Sequence, residues 1–200
     1  KYPLLFHYNA TVENVSNTTY SFKRYIRPYN GLYNVAWVKG DDFSSKLNGK
    51  VSFEGWVNMI DSRGHEIFMV TNQNYVDADD VLMWVRYVLS PDNTTGRFVF
   101  GRRFDSSGLM NWISSYVPNV KGSWVHLVVT YDDSSASNIP VFYVNGNKLE
   151  TSVYYGSAVG NASAITDQHV TRWGAPNGSI VTTAQLGRQA LYKGLLNEAQ

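Results

Sequence analysis

The chain has 200 residues, with 17 Lys and Arg against 16 Asp and Glu, and no cysteine. That length suits one domain with its own core, and the absence of thiols excludes disulfides, thiolate nucleophiles and thiolate metal sites together. A formal charge of +1 leaves no basic face to track a phosphate backbone, and no stretch approaches the roughly 18 apolar residues of a membrane-spanning helix. Nucleic acid and membrane insertion are therefore not expected. The basic residues gather at Lys23, Arg24 and Arg27 and at Arg97, Arg102 and Arg103, and both groups read as solvated loop or strand surface, with contact to an anionic partner as the alternative. Tyr, Asn, Ser, Thr and Gly are plentiful, which favours strands and tight turns over helices. Lys1 begins no signal peptide, and a chain without an initial Met reads as a processed product or an excised piece.

In chain order, residues 1–20 predict a short strand around Leu4, Leu5 and Phe6, followed by a polar, exposed arm that extends to about residue 30. Residues 20–26 alternate loosely, Pro28, Asn30 and Gly31 make a turn, and residues 32–37 form a strand or its approach. After Asn48-Gly49, period two is clear: Val51, Phe53, Gly55, Val57 and Met59 share one face, with Ser52, Glu54, Trp56 and Asn58 on the other. Further strands are predicted over residues 67–71, 81–89 and 97–103, the last setting Phe98 and Phe100 against Val99 and Gly101. Residues 109–116 fit a strand or a short helix equally. Residues 124–131 make the strongest strand, apolar enough to be covered on both faces. Its partner is 141–144, which turns back at Asn145-Gly146 through the positive φ values that a tight hairpin demands. A final strand is predicted from 188 to 196. Many short strands and no long amphipathic stripe argue for an antiparallel β-sandwich or barrel.

Three segments then carry a resemblance: Val51-Ser-Phe-Glu-Gly-Trp-Val57; Gly122-Ser-Trp-Val-His-Leu-Val-Val-Thr-Tyr-Asp132 with Val141-Phe-Tyr-Val-Asn-Gly146; and Gln185-Leu-Gly-Arg188 with Tyr192-Lys-Gly-Leu-Leu-Asn-Glu-Ala199. In this order and spacing they resemble the laminin-G-like and pentraxin-like domains of the concanavalin A-like lectin/glucanase superfamily. The resemblance implies an all-β, two-sheet antiparallel β-sandwich, a concanavalin A-like jelly roll, with residues 1–200 as one domain. It also implies a last core strand after Gln200, absent, disordered or supplied elsewhere in a longer protein. Asn197 stands where the family usually has Asp.

The superfamily's glucanases carry their acids as Glu-x-Asp-x-x-Glu on one strand, because retaining hydrolysis needs two carboxylates about 5 Å apart. Glu13, Glu54, Glu66, Glu150 and Glu198 fall in no such pattern. His65-Glu66 lacks the second histidine of a zinc helix, and no serine sits on a Gly-x-Ser-x-Gly elbow. His126, inside the strongest strand, reads as packed and hydrogen-bonded. No catalytic residue is expected, and the chain is read as a non-enzyme.

Sugar recognition would combine exposed rings with polar side chains, and the loop-flanked candidates are Trp112, Tyr116, Tyr154, Tyr155, Arg172 and Trp173, with Asn111 alongside. Trp56, Trp84 and Trp124 are assigned to structure. Calcium, which needs several oxygen ligands, has its densest candidate set in Asp77, Asp79 and Asp80, with thinner ones at Asp41-Asp42 and Asp132-Asp133. Asn9, Asn14, Asn17, Asn93, Asn161 and Asn177 head glycan-acceptor triplets. The leading expectation is a recognition module of a larger extracellular, cell-surface or virion-surface protein, binding a glycan or protein surface. The alternative is a structural or assembly domain of a viral or phage surface protein, in contact with neighbouring domains or subunits.

Overall fold

A computed structural model describes residues 4–8, 36–39, 44–59, 65–72, 78–89, 95–118, 120–174 and 184–196. Its strands are β1 (Leu4–Tyr8), β2 (Ala36–Lys39), β3 (Lys50–Asn58), β4 (His65–Thr71), β5 (Val81–Leu89), β6 (Thr95–Phe104) and β7 (Gly108–Ser114). They continue with β8 (Val117–Pro118), β9 (Trp124–Asp132), β10 (Val141–Val144), β11 (Asn147–Leu149), β12 (Thr151–Tyr155), β13 (Val170–Trp173) and β14 (Gln185–Lys193). Two short 3₁₀ turns, Ser44–Leu47 and Ala78–Asp80, precede β3 and β5.

One sheet runs β1-β14-β3-β9-β10-β11 and the other β12-β7-β6-β5-β4-β13-β2, with β8 on β6; all strand pairs are antiparallel. The alternation in β3 decides its orientation. Val51, Phe53, Gly55 and Val57 are buried between the sheets, while Glu54 and Asn58 are half-buried and Trp56 is exposed. In β9, Val125, Leu127, Val129 and Tyr131 are buried, but Trp124 is 47% exposed and His126 and Val128 are half-buried. The expectation that both faces of β9 are covered is therefore corrected. Its first half looks out to solvent, because among the described residues no strand packs over that part of the sheet.

Aromatic contacts join the sheets: Phe53 lies 5.6 Å from Phe68, and Tyr131 lies 4.9 Å from Phe100 and 5.4 Å from Trp112. Burying each such ring is worth about 1.5–3 kcal/mol. Arg102 is fully buried and donates to Asp133 Oδ2 at 2.9 Å and to the Leu82 carbonyl at 3.2 Å, while Asp133 Oδ1 accepts the Gly49 N–H at 2.6 Å. The surface reading of Arg102 thus fails: β6 alternation turns it inward with Phe98 and Phe100, and a carboxylate beyond the end of β9 meets its charge. A buried charge requires such a partner.

The hairpin at Asn145 (φ 51°) and Gly146 (φ 79°) forms as its sequence predicts. Residues 109–116 resolve into a strand, β7. The late segment becomes β14, which lies inside the sheet between β3 and β1. Most of the proposed N-terminal arm, and the basic group Lys23, Arg24 and Arg27, lie outside the described residues. So do Asn9, Asn14, Asn17, Asn93 and Asn177 among the acceptor asparagines; Asn161 is described and exposed.

Candidate functional site

Register on the eight-stranded sheet lines up Arg172, Met69, Trp84, Gly101, Asn111 and Tyr155 across six strands. Strand alternation turns Met69 and Trp84 of this row away from the main core. Trp84 leaves β5 and lies over Gly101 of β6. A Cβ at residue 101 would run into the indole and stand 2.7 Å from Asn111 Oδ1. The indole N–H donates to that same oxygen at 2.7 Å, which fixes both ring and amide. The Arg86 guanidinium covers the ring at 5.1 Å, a cation–π arrangement.

This floor belongs to a groove of about 510 Å³, lined also by Asp79, Arg86, Arg103, Tyr154, Tyr155 and Ser157. Tyr154 and Tyr155 are 49% and 72% exposed. The segment after β12 is tied to the β6–β7 turn. Ser107 Oγ donates to the Ser157 carbonyl at 2.6 Å and accepts from the Val159 N–H at 3.0 Å, and Asp105 Oδ1 accepts from the Asn161 N–H at 3.0 Å. The two tyrosines are therefore held on a fixed strand beside an anchored turn.

Two arginines set the electrostatics. Arg103 Nε donates to the Val81 carbonyl at 2.8 Å, and its terminal nitrogen reaches the exposed Asp79 at 3.4 Å. Arg86 stands 3.8 Å from Glu66, which is almost fully buried. Burial pushes the Glu66 carboxyl above its ordinary range, and Arg86 opposes that shift.

The structure sorts the candidates read from sequence. Tyr154, Tyr155 and Asp79 come together in the groove. Trp112 and Trp173 do not: they are 2% and 4% exposed, packed on Tyr131 and on Phe68 at 5.4 and 5.7 Å, because their parity in β7 and β13 points inward. Core rings offer no face to a sugar, so both leave the candidate set. Tyr116 is exposed under the Arg97 guanidinium at 4.5 Å, and Arg172 donates to Thr71 Oγ1 at 3.0 Å; neither lines the groove. Asp80 Oδ1 accepts from Asn72 at 2.9 Å, while Asp77 lies outside the described residues. Among the described residues no three His, Asp or Glu side chains gather as a metal site.

Asn111, named beside the candidate rings, also lines the groove, and so do Trp84, Arg86 and Arg103, which sequence reasoning did not select as ligand-binding. One signal was present. Arg86 interrupts an apolar strand, and its parity marks the outward face on which Trp84 also lies.

Two antiparallel sheets packed around one core, with an open groove on an outer face, define an all-β sandwich domain. The chain belongs to the concanavalin A-like lectin/glucanase superfamily, whose laminin-G model matches residues 34–200. No curated protein sequence matches the chain. Among solved structures, the receptor binding domain of botulinum neurotoxin mosaic serotype C/D is similar at a TM-score of 0.54 and 10% identity, covering 84% of this chain and 38% of that one. The binding domain of botulinum neurotoxin DC, in complex with rat synaptotagmin II, gives 0.51 and 10%, covering 82% and 38%. Trypanosoma rangeli sialidase in complex with sialic acid gives 0.54 and 16%, covering 86% and 26%. The chain thus spans roughly a quarter to two-fifths of these proteins, and at such identities the likeness is one of fold.

Proposed function

We propose that the chain is a non-catalytic, extracellular or cell-surface recognition domain that binds a glycan in the groove of its eight-stranded sheet. The carrying observation is that exposed Tyr154 and Tyr155 stand in one open groove with Arg86, Arg103 and Asn111. Sugars present apolar C–H faces edged by hydroxyls, and rings with planar polar groups beside them meet both. The groove's lining supports a non-catalytic reading, since its one acid among the described residues, Asp79, faces Arg103, whereas glycoside hydrolysis needs paired carboxylates. Similar folds include a toxin's receptor binding domain and a sialidase holding sialic acid, and the virion-assembly alternative finds no support among them.

A protein ligand is the second reading. It is favoured by the edge strand β12, whose Val153, Tyr154 and Tyr155 are all exposed, and by the similar toxin domain solved with synaptotagmin II. A glycan array with neutral, sialylated and sulfated sugars, run with and without calcium, separates the two. Binding that weakens about ten-fold or more, or by about 1.4 kcal/mol, in Tyr155→Ala and Arg103→Gln supports the glycan reading. A folded protein that binds no glycan overturns it.

A further inference from the structure

The outer face of the six-stranded sheet carries a constellation of its own. Trp56 and Trp124 are 43% and 47% exposed there. In the β3–β9 register Trp56 faces His126 and Asn58 faces Trp124, with β14 on the far side of β3. A Cβ placed at Gly187 of β14 would stand 3.2 Å from the Cζ3 atom of Trp124 and 3.1 Å from the Cβ of Trp56. The Trp124 indole therefore extends from β9 across β3 to the β14 backbone, and it has room there because residue 187 lacks a side chain. A ring spread across a sheet in this way turns one broad face to solvent.

Polar groups border the rings. The His126 ring lies 5.1 Å from Trp56, and its Nε2 meets Glu54 Oε1 at 2.9 Å. The Tyr192 hydroxyl donates to the other Glu54 oxygen at 2.7 Å. These bonds hold the carboxylate in place beside the rings, and the His126 hydrogen bond in particular keeps Glu54 below the ordinary carboxylate range.

We propose that this face is a second saccharide-binding site, with the Trp124 indole as stacking platform and Glu54 and His126 as the hydrogen-bonding edge. The surroundings favour a sugar over a purely apolar partner, because the rings adjoin an oriented acceptor and an imidazole rather than further hydrocarbon. They favour a neutral sugar, because the border carries a carboxylate beside a histidine and offers no field of one sign. The site lies on the opposite sheet from the groove, so one domain would engage two glycans from opposite sides. The ligand class extends the reading of the groove, but the residues are independent of it.

The test is tryptophan fluorescence of the whole chain titrated with four neutral hexaoses built from glucose (β1,4- and β1,3-linked), mannose and galactose. Saturable binding of at least one, weakened about ten-fold or more in Trp124→Ala and Gly187→Val but kept in Tyr155→Ala, supports the site. Thermal melting confirms that each variant is folded, and His126→Ala replaces any that is not. Binding of none of the hexaoses, or equal binding by wild type and Trp124→Ala, overturns the second site. Loss in Tyr155→Ala alone would leave the groove standing and remove the second site; loss in Trp124→Ala alone supports the second site and leaves the groove to its own glycan array.

Discussion

Trp84 on the eight-stranded sheet lies over Gly101 of the next strand, and Trp124 on the six-stranded sheet reaches Gly187 two strands away. In both places a residue without a side chain admits an indole onto the outer face of a sheet. Yet Trp84 is 9% exposed and Trp124 is 47% exposed. The neighbours account for the difference. Asn111 takes the Trp84 N–H and the Arg86 guanidinium closes over the ring, so that tryptophan becomes the floor of a groove. Trp124 has Trp56 and Gly187 beside it and keeps a broad face in water. An outward position therefore does not settle whether a tryptophan is structure or surface; the residues that register brings alongside do.

The largest expected effect breaks the covered side of this comparison. Gly101→Val drives a branched side chain into the Trp84 indole and towards Asn111, which should cost about 1–3 kcal/mol or more by overpacking and abolish binding in the groove. Urea unfolding and glycan titration of the same variant read both effects. Gly187→Ala is milder, because its new Cβ would meet Trp56 and Trp124 at 3.1 and 3.2 Å, and two half-exposed rings can shift outward.

Next in size is the contrast between the tryptophans themselves. Trp84→Ala removes a nearly buried ring and leaves the Asn111 amide short of its donor, for about 3 kcal/mol of stability. Trp124→Ala should cost about 1 kcal/mol or less, since half of that ring is already in water. Equal losses by urea unfolding would mean that the two faces are packed alike.

Local sequence reveals one half of this picture. Period two in residues 51–59 and 124–131 gives the inward faces of β3 and β9, and Asn145-Gly146 gives the hairpin. β12 escaped detection because Ser152, Val153, Tyr154 and Tyr155 are exposed on both sides of the strand, which leaves no alternation to read. Trp112 was misplaced because residues 109–116 are apolar or uncharged throughout, so neither a period nor an inward side stands out. The groove depends on cross-strand register. Trp84, Gly101, Asn111 and Tyr155 come from four strands, and nothing within any one of those strands announces the other three. Residue type alone points to Tyr154, Tyr155, Asn111 and Asp79, whereas Trp84, Arg86 and Arg103 join them only through the sheet.

The smallest effect is also the most discriminating, because it differs in sign between the faces. Glu66 on the eight-stranded sheet has its carboxyl pushed up by burial, against Arg86; Glu54 on the six-stranded sheet is held down, first by its His126 hydrogen bond. A raised carboxyl binds its proton more tightly in the folded state, so the stability it carries is complete below the ordinary value of 4.5 and is lost as pH rises through the raised one. A lowered carboxyl does the opposite: its contribution is complete above 4.5 and is lost as pH falls through the lowered value. Urea unfolding of wild type, Glu66→Gln and Glu54→Gln between pH 3 and about 7 isolates each term by difference. Wild type should lose ground to Glu66→Gln as pH rises above 4.5, and to Glu54→Gln as pH falls below it. Slopes of the same sign would show that the two outer faces hold their carboxylates alike, and the contrast between a covered face and an open one would then not extend to charge.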